Sequence, residues 1–316
     1  MEAPNEAIPV VSSPRCFICN GSLTAGRTSS YRQCPACGHE SLVSASHGTG
    51  HMLNDPLDEA DARRETALDR FKRRVLLQFS AGRPQGCLVD IGSASGKFLI
   101  QNSREFERSI GIEITPEAVA FSRDVLKLQV VDDLAAIDDP IDLACAWHSL
   151  EHIPGDALHR LLAGLREKML PGSRLIVSVP NNQSFQYRWF RGAYAFFDVP
   201  NHVHQFSPTS LHLLLSHHGF VPLGRTSSSV YKSFGYVQAL LNVATRSHNY
   251  LYYRLKRRSA VPSPWRDAAN VILFPLVLPV AALLSLLDRL FPDAEGVMTL
   301  CFERTNQAQD SSGVHP

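Results

Sequence analysis

A loop of small residues near position 90 has the composition of a nucleotide-binding turn. Residues 89–98 read VDIGSASGKF, which places Asp90, Gly92 and Gly96 in the spacing D-x-G-x-x-x-G with Ser93 inside the turn. Glycines let the backbone turn sharply and approach a ligand, and the start of a following helix offers free N–H groups. Glu113 ends the next apolar run, where a carboxylate can accept hydrogen bonds from both ribose hydroxyls. Together these residues predict an adenosine site, although a tight turn and a solvated carboxylate would explain each feature separately.

Paired cysteines near the N-terminus predict a metal centre. Two C-x-x-C pairs supply four thiolates, which suits tetrahedral zinc, and a site with four protein ligands is closed and therefore structural. An odd total of seven cysteines favours a reducing compartment and a metal site over a disulfide framework. His39 is a less favoured ligand than the cysteines. The four predicted zinc ligands are Cys16, Cys19, Cys34 and Cys37.

Histidines in two segments are candidates for a catalytic base, because imidazole accepts protons near neutral pH. His148 and His152 stand four residues apart around Glu151, so one helical turn would put both rings on one face, where they could bind a metal. We favour a structural role for Glu151 and His152. His202 is the preferred base or acceptor-orienting residue, with His148 and His204 as the other candidates; the alternative is that these histidines bond to backbone and fix a loop.

The elements that must position these residues alternate between strands and helices, which indicates an α/β fold with a parallel sheet covered on both faces. A helical pattern covers 58–79, and further helices are expected at 96–104, from Pro116 with Thr115 as N-cap, at 156–170 ended by Pro171-Gly172, and from Ser207-Pro208 to Gly219. Strands are predicted at 87–91, 109–114, 128–132, 141–146, 174–179, 220–226 and 297–303.

The chain divides into four predicted parts, with a polar tail at 1–13 and a linker at 45–57. The formal net charge of +1 and the lack of a basic stripe among aromatics do not favour a nucleic-acid partner. No secretory signal is visible, so we expect a cytoplasmic protein. The parts are a cysteine module at 14–44, a main domain at 58–229, an apolar helical insertion at 230–292, and the last strand at 293–305.

The insertion contains an apolar segment, 271–287, that leaves three interpretations open. A single membrane span is not expected, because the strands at 87–91 and 297–303 must lie on one side of any bilayer and 231–255 is too polar to cross. The segment can lie in one leaflet at the inner membrane surface, with Lys256, Arg257 and Arg258 near anionic lipid. It can instead form an internal lid over an acceptor pocket, or an oligomer contact.

Six blocks in a fixed order carry a family resemblance over 85–230 and 296–304. They are VDIGSASGKFL, GIEITPEAV, VVDDL, IDLACAWHSLEHIP, LREKMLPGSRLIVSVPN and PNHVHQFSPTSLHLLLSHHGF. Together they resemble class I S-adenosylmethionine-dependent methyltransferases, most closely the ubiquinone-methyltransferase-like branch. The resemblance implies a Rossmann-like sheet with helices on both faces. The cysteine module is similar to the zinc ribbon that precedes some small-molecule and sugar methyltransferases.

The resemblance also implies roles for individual residues. Asp90, Gly92, Ser93 and Gly96 would surround the methionine half of the cofactor, and Glu113 would hold its ribose. Asp132 or Asp133, with Leu134, would flank the adenine, while Trp147 and His148 would border the reacting sulfonium. The segment around His202 and His204 would cover the acceptor pocket. Ala94 departs from the family pattern, which usually has glycine at this position.

These expectations support one functional hypothesis and leave two alternatives. The chain would use S-adenosylmethionine and a structural Zn²⁺, and would methylate an oxygen of a small-molecule or lipid-linked acceptor such as a glycan or a quinone-like intermediate. The first rival is an RNA base methyltransferase whose ribbon grips RNA; the second is a non-catalytic protein that binds the cofactor. Neither the acceptor nor the oligomeric state follows from the sequence.

Overall fold

The structure is a computed structural model that describes residues 15–43, 56–83, 85–255, 263–291 and 294–306. The predicted tail, most of the predicted linker, and Lys256, Arg257 and Arg258 lie outside the described residues. The strands are β1 Thr24–Ala25, β2 Tyr31–Gln33, β3 Glu40–Leu42, β4 Cys87–Ile91, β5 Arg108–Ile112, β6 Gln129–Val131, β7 Ile141–Trp147, β8 Met169–Pro180, β9 His204–Gln205, β10 Phe220–Thr226 and β11 Val297–Arg304. The helices are α1 Glu59–Arg63, α2 Ala67–Ser80, α3 Lys97–Asn102, α4 Pro116–Ala120, α5 Gly155–Lys168, α6 Phe185–Phe190, α7 Pro208–His217, α8 Ser229–Thr245, α9 Tyr250–Leu255 and α10 Pro264–Leu287.

The central sheet has seven strands in the order β10-β11-β8-β7-β4-β5-β6. The strands β8, β7, β4, β5 and β6 are mutually parallel, whereas β11 runs antiparallel to both β8 and β10. The chain order reverses direction between β4 and β7, and the crevice outside the carboxyl ends of strands at such a switch point is where open α/β sheets bind ligands.

Helices cover both faces of this sheet, which confirms the predicted α/β architecture. One buried cluster joins the sheet to α5 and α7 through side chains such as Leu158, Leu162 and Leu211. A second cluster joins the opposite face to α2 and α3 through Val75 and Leu99. Because the parallel strands are buried on both faces, their sequences are near-continuous apolar runs.

Two of the predicted helix boundaries are wrong, each for a local reason. The pattern over 58–79 forms two helices, because Thr66 caps α2 in a capping box with Asp69 and thereby starts a new helix. Pro171-Gly172 does not end α5, which stops at Lys168. The dipeptide instead lies inside β8, where the register with β7 shifts between Ile141 and Leu143 and so accommodates a residue that has no N–H.

The cysteine module shares a sheet with the main domain. This second sheet has the order β1-β2-β3-β9, and β9 comes from the segment that follows α6. Ser41 pairs with His204 and Glu40 with Gln205 across the junction. A short strand of the main domain therefore completes the sheet of the N-terminal module, a pairing that the predicted domain limits did not anticipate.

The insertion between β10 and β11 consists of the helices α8, α9 and α10. α10 packs along α8 through Leu273, Val277 and Ala281. Among the described residues, one helix, extended from α10 to Leu290, is long and apolar enough by length and composition to cross a membrane.

Candidate active site

The loop after β4 needs glycine at two positions. Gly92 and Gly96 both have φ of +71°, in the left-handed region that favours glycine. A Cβ on Gly92 would lie 2.7 Å from Cβ of Ser149, and one on Gly96 would lie 2.7 Å from a methyl of Leu128. The loop therefore runs against neighbouring side chains with no room for larger residues, as a turn that approaches a ligand requires.

Ala94 adopts the same left-handed region with φ of +48°. This conformation costs a non-glycine residue about 1–2 kcal/mol. The backbone N–H of Ala94 donates to Oε2 of Glu113 at 2.8 Å, and this bond helps to offset the strain. The departure from the family's glycine is thus accommodated without opening the turn.

Glu113 follows β5 and holds the loop and the next helix together. Its Oε1 accepts hydrogen bonds from the N–H groups of Ile114 and Thr115 at 2.9 and 2.8 Å. With Ala94, three backbone donors fix the orientation of a carboxylate that is 8% exposed. A carboxylate with its geometry set in this way is ready to accept hydroxyl groups at the strand end.

Asp90 is the other buried carboxyl group beside the loop. It lies in β4 and is 3% exposed. Burial raises its pKa to about 7, and the positive charge of Lys72 opposes that rise. A buried carboxyl group with a strongly raised pKa is typical of a functional position, although structural ion pairs also shift pKa values.

The remaining predicted cofactor residues lie at the ends of two other parallel strands. Asp132 and Asp133 follow β6 and are exposed, and Asp133 caps the next turn by accepting from the N–H of Ala135 at 2.7 Å. Leu134 is buried in the core cluster on one face of the sheet. Trp147 ends β7, with its ring 5.5 Å from that of Phe98. The predicted cofactor residues therefore all lie at or just beyond the carboxyl ends of β4, β5, β6 and β7.

A cluster of histidine and glutamate side chains follows β7 on the same edge. Oε1 of Glu151 lies 3.3 Å from Nδ1 of His148 and 4.0 Å from Nε2 of His202. Glu151 is fully buried, and neither of its oxygens has an aligned hydrogen bond to a described residue. Nε2 of His148, Nδ1 of His202 and the hydroxyl of Tyr231 are also buried without such a bond. So many unsatisfied buried groups in one place indicate a site built for a polar ligand.

The carboxyl group of Glu151 and the imidazole of His202 differ in charge at neutral pH. Burial raises the pKa of Glu151, but the imidazole of His148, 3.3 Å away, outweighs burial and lowers that pKa to about 2. Burial, reinforced by the charge of His152, lowers the pKa of His202 to about 3. At neutral pH the site therefore holds an ionised Glu151 beside a neutral His202 imidazole.

The expected helical turn that places His148 and His152 on one face is not formed. His148 has φ of +57°, and only Leu150–His152 form a 3₁₀ turn. Nδ1 of His152 donates to the carbonyl of Asn201 at 3.0 Å. Glu151, His152 and His202 nevertheless offer ligand atoms within 4.8 Å of one another and could hold a metal ion, a set that His148 does not join.

His204 lies with the cysteine module and not with the Glu151 cluster. Its Nδ1 is 3.2 Å from Nε2 of His39, and its ring stacks on Phe17 at 4.4 Å. Burial lowers its pKa well below the ordinary value. Since His202 and His204 occupy different environments, only His202 shares the environment of His148.

Two aromatic residues of the cluster were not predicted from the sequence. Phe196 stacks on His148 at 6.0 Å, and Tyr231 meets the same ring edge-on at 5.2 Å. Tyr231 belongs to α8, which the sequence assigns to the insertion, and neither residue is part of a recognisable motif. Their proximity to His148 depends on long-range packing that no local pattern reports.

The four cysteine sulfurs lie close enough together to hold one metal ion. All four are within 4.8 Å of one another, with Cys16 to Cys37 at 3.7 Å and Cys19 to Cys34 at 3.4 Å. Zinc–sulfur bonds of about 2.3 Å in a tetrahedron put the sulfurs about 3.8 Å apart. The donor set and its dimensions therefore fit zinc.

Comparison with known proteins gives the class of the chain. A family model described as a methyltransferase domain matches residues 60–223. Because the match covers more than half of the chain, the protein belongs to this methyltransferase family. No curated protein matches the sequence significantly.

Solved structures with a related fold are distant in sequence. A S-adenosylmethionine-dependent methyltransferase from Archaeoglobus fulgidus is 19% identical, with 75% of this chain and 93% of that chain covered at a TM-score of 0.45. The cyclase SpnF is 17% identical, with 78% and 84% covered at a TM-score of 0.48. The 1,6-didemethyltoxoflavin-N1-methyltransferase from Burkholderia thailandensis is 16% identical, with 76% and 79% covered at a TM-score of 0.42.

Proposed function

We propose that the protein transfers a methyl group from S-adenosylmethionine to a hydroxyl oxygen of a small or lipid-linked acceptor, such as a glycan or a quinone-like intermediate. The observation that carries this proposal is the buried Glu151 cluster, which follows β7 at the switch point of the sheet, beside the glycine loop that follows β4. A glycine loop alone would suit any adenosine ligand. An ionised carboxylate paired with histidine at the same edge also supplies the proton acceptor that a hydroxyl nucleophile needs.

The cofactor half of the site supports S-adenosylmethionine as the donor. The loop at Gly92 and Gly96, where a Cβ would clash with neighbouring side chains, would contact the methionine portion, and Glu113, held by backbone N–H groups, would bind the ribose. Asp132 or Asp133, with Leu134, would flank the adenine, and Trp147 would border the sulfonium. When bound, this cofactor supplies an activated methyl group whose leaving group is a neutral thioether, so the protein has little leaving-group charge to stabilise.

His148 is the base that the geometry favours, ahead of His202. Oε1 of Glu151 lies 3.3 Å from Nδ1 of His148, on the opposite side of the ring from Nε2, which is unpartnered among the described residues and able to take a proton. This is the orienting role that a carboxylate plays for a catalytic imidazole. Burial lowers the pKa of His202 to about 3, which makes it a poor proton acceptor near neutral pH, and we assign it the orientation of the acceptor.

The proposed methyl transfer needs no reactant besides the acceptor and the cofactor. When bound, the cofactor would give its methyl group to the acceptor oxygen and keep the electron pair of the broken carbon–sulfur bond on its sulfur. The hydroxyl proton passes to Nε2 of His148. The chain's own contribution is to align the oxygen with the methyl group and to accept this proton.

The cysteine cluster supports a structural zinc site, which we include in the proposal. Cys16, Cys19, Cys34 and Cys37 would fill every position of a tetrahedral ion, so the zinc would take no part in methyl transfer. Thiolate ligands also require a reducing compartment, which supports a cytoplasmic location.

A transfer assay tests the proposed function. Purified protein is incubated with methyl-labelled S-adenosylmethionine and fractionated cell extract, and label is expected in a hydroxyl-bearing small-molecule or lipid fraction. His148→Asn keeps a residue that tolerates positive φ and should reduce kcat by about 10²–10⁴ while leaving cofactor affinity unchanged. The matched control is His217→Gln at the end of α7, which should retain full activity.

Other outcomes of this assay would contradict the proposal in distinguishable ways. Label in RNA, with retention on RNA that falls steeply with salt, would support an RNA methyltransferase. Cofactor binding without label in any fraction would support a non-catalytic binding protein. Full activity of His148→Asn would remove His148 from the mechanism.

A further inference from the structure

The outer surface of α10 exposes many apolar side chains to solvent. From Ala268 to Leu287 the sequence contains no charged residue. Val271 is 75% exposed, Ile272 64%, Leu276 62% and Leu283 58%. Contiguous exposed apolar surface of this kind marks an interaction site.

Within the described residues, α10 contacts the rest of the protein mainly along a narrow stripe. Leu273, Val277, Ala281 and Leu284 pack against α8, where they meet side chains such as Tyr236. Only 17% of the most apolar window of this helix is buried. Most of the surface around the helix is therefore exposed. A surrounding apolar medium can cover such a surface, whereas a protein partner would cover only one side of it.

The helix pair is fixed to the main domain on the side of α8. Nδ2 of Asn242 donates to the carbonyl of Ala193 at 3.0 Å, and Nδ2 of Asn249 donates to the carbonyl of Ala195 at 2.7 Å. α8 thus lies between α10 and the main domain, so the apolar surface of α10 points outward. This arrangement does not favour the alternative in which the segment forms an internal lid over the acceptor pocket.

The charge around the start of α10 complements anionic headgroups. Among the described residues from 246 to 267, three are basic and one, Asp267, is acidic and pairs with Arg254 at 3.2 Å. Trp265, 57% exposed, stands at the N-terminal end with the Arg266 guanidinium 5.2 Å from its ring. Tryptophan and arginine beside an apolar segment are typical of the membrane interface. The three basic residues are Arg246, Arg254 and Arg266.

Two prolines favour an interfacial position over a span. Pro275 and Pro279 lie inside α10 and are exposed. A proline has no N–H, so the carbonyls of Val271 and Pro275 lack their partners four residues on. Such carbonyls are costly in hydrocarbon but can bond to water or headgroups at the interface.

We propose that α10 inserts its outer surface into one leaflet of a bilayer that contains anionic lipid, with Trp265 and Arg266 at the headgroups. In this proposal the bilayer, and not a second copy of the chain, covers the apolar surface. The inference stands on the α8–α10 helix pair and does not depend on the identity of the methyl acceptor.

Vesicle flotation of the full chain tests this inference. The protein should float with vesicles of phosphatidylcholine and phosphatidylglycerol, float less with phosphatidylcholine alone, and lose part of its binding in high salt. Leu276→Glu combined with Leu283→Glu should weaken binding by at least about tenfold, because both side chains leave the acyl region. The control pair, Leu170→Glu with Leu223→Glu, adds the same charge at exposed leucines of β8 and β10 and should bind as the parent does.

Circular dichroism and thermal unfolding of both variants show whether they are folded. Equal flotation of the two variant pairs would overturn the proposal. A parent that fails to float, and that forms a dimer which Leu276→Glu with Leu283→Glu dissociates in sedimentation, would overturn it in favour of a contact between copies.

Discussion

Several residues at the site are held in conformations or charge states that their neighbours impose. Ala94 and His148 both have positive φ, and each lies where the chain turns from a strand toward the ligand crevice. Glu151 remains ionised while fully buried because His148 faces it. Strain and buried charge of this kind persist where the surrounding structure over-determines the position, which is common at active sites.

The buried Asp90 should make the free energy of unfolding depend on pH. Its folded pKa, near 7, lies above that of an unfolded aspartate, so its stabilising contribution is complete below about pH 4 and is lost as pH rises to about 7. Asp90→Asn should therefore raise the free energy of unfolding at pH 8 by about 1–4 kcal/mol, at about 1.4 kcal/mol per pKa unit, and change it little at pH 4. Urea unfolding at both pH values measures this.

The exposed Asp138→Asn is the control for that measurement, since its carboxyl group is in solvent. It should leave the stability profile unchanged at both pH values. If Asp90→Asn and Asp138→Asn gave the same profile, the buried charge assigned to Asp90 would be wrong.

Among elements, β9 links the cysteine module to the proposed acceptor site. Tyr31 is fully buried in β2 and donates its hydroxyl to the carbonyl of His202 at 2.7 Å. Nδ2 of Asn182 donates to the carbonyl of Gly38 at 2.7 Å, and Oγ of Ser207 donates to the carbonyl of Cys37 at 2.6 Å. These bonds hold the segment that carries His202 against the module, so the order of the module sets the position of that histidine.

Loss of zinc should therefore affect methyl transfer more than cofactor binding. Cys34→Ser should lose the zinc ion, lower the melting temperature and reduce kcat/KM for the acceptor, because β3 no longer supports β9. Affinity for S-adenosylmethionine should stay within about threefold, since the glycine loop lies on the other sheet. Metal analysis, thermal unfolding and calorimetry measure these three quantities.

Cys301→Ala removes a buried thiol of β11 outside the cluster and should retain zinc. A Cys34→Ser protein with full zinc content would refute the cysteine site. Zinc above a single ion per parent chain would instead assign the group of Glu151, His152 and His202 as a second metal site.

Local sequence signals predicted the central sheet well. The strands at Cys87–Ile91 and Phe220–Thr226 have the predicted bounds, because apolar runs flanked by turn residues report burial directly. The pairing of β3 with β9 was not predicted, since β9 has two residues and its partner lies far away in the chain. Likewise, the sequence marked His148 and Glu151 as candidates, but their pairing and the approach of Tyr231 follow from tertiary packing.

Over the whole molecule, α8 connects two surfaces with different chemistry. Its first turn carries Tyr231 to the ring of His148, and its later turns pack α10 through Tyr236. A lipid-linked acceptor presented at the bilayer would thus approach the protein on the side of the helices that carry the apolar surface. The sheet gathers the proposed cofactor residues at one edge.

The proposed function requires that S-adenosylmethionine bind at the edge of the sheet formed by the ends of β4 and β5. Calorimetric titration of the full chain with S-adenosylmethionine tests it most directly, with Glu113→Ala as the variant and Glu117→Ala, exposed in the first turn of α4, as the control. We expect saturable binding by the parent and the control, and an affinity lower by at least about tenfold for Glu113→Ala, which loses the ribose acceptor. Absence of binding at millimolar ligand, or equal affinity of the two variants, would contradict it.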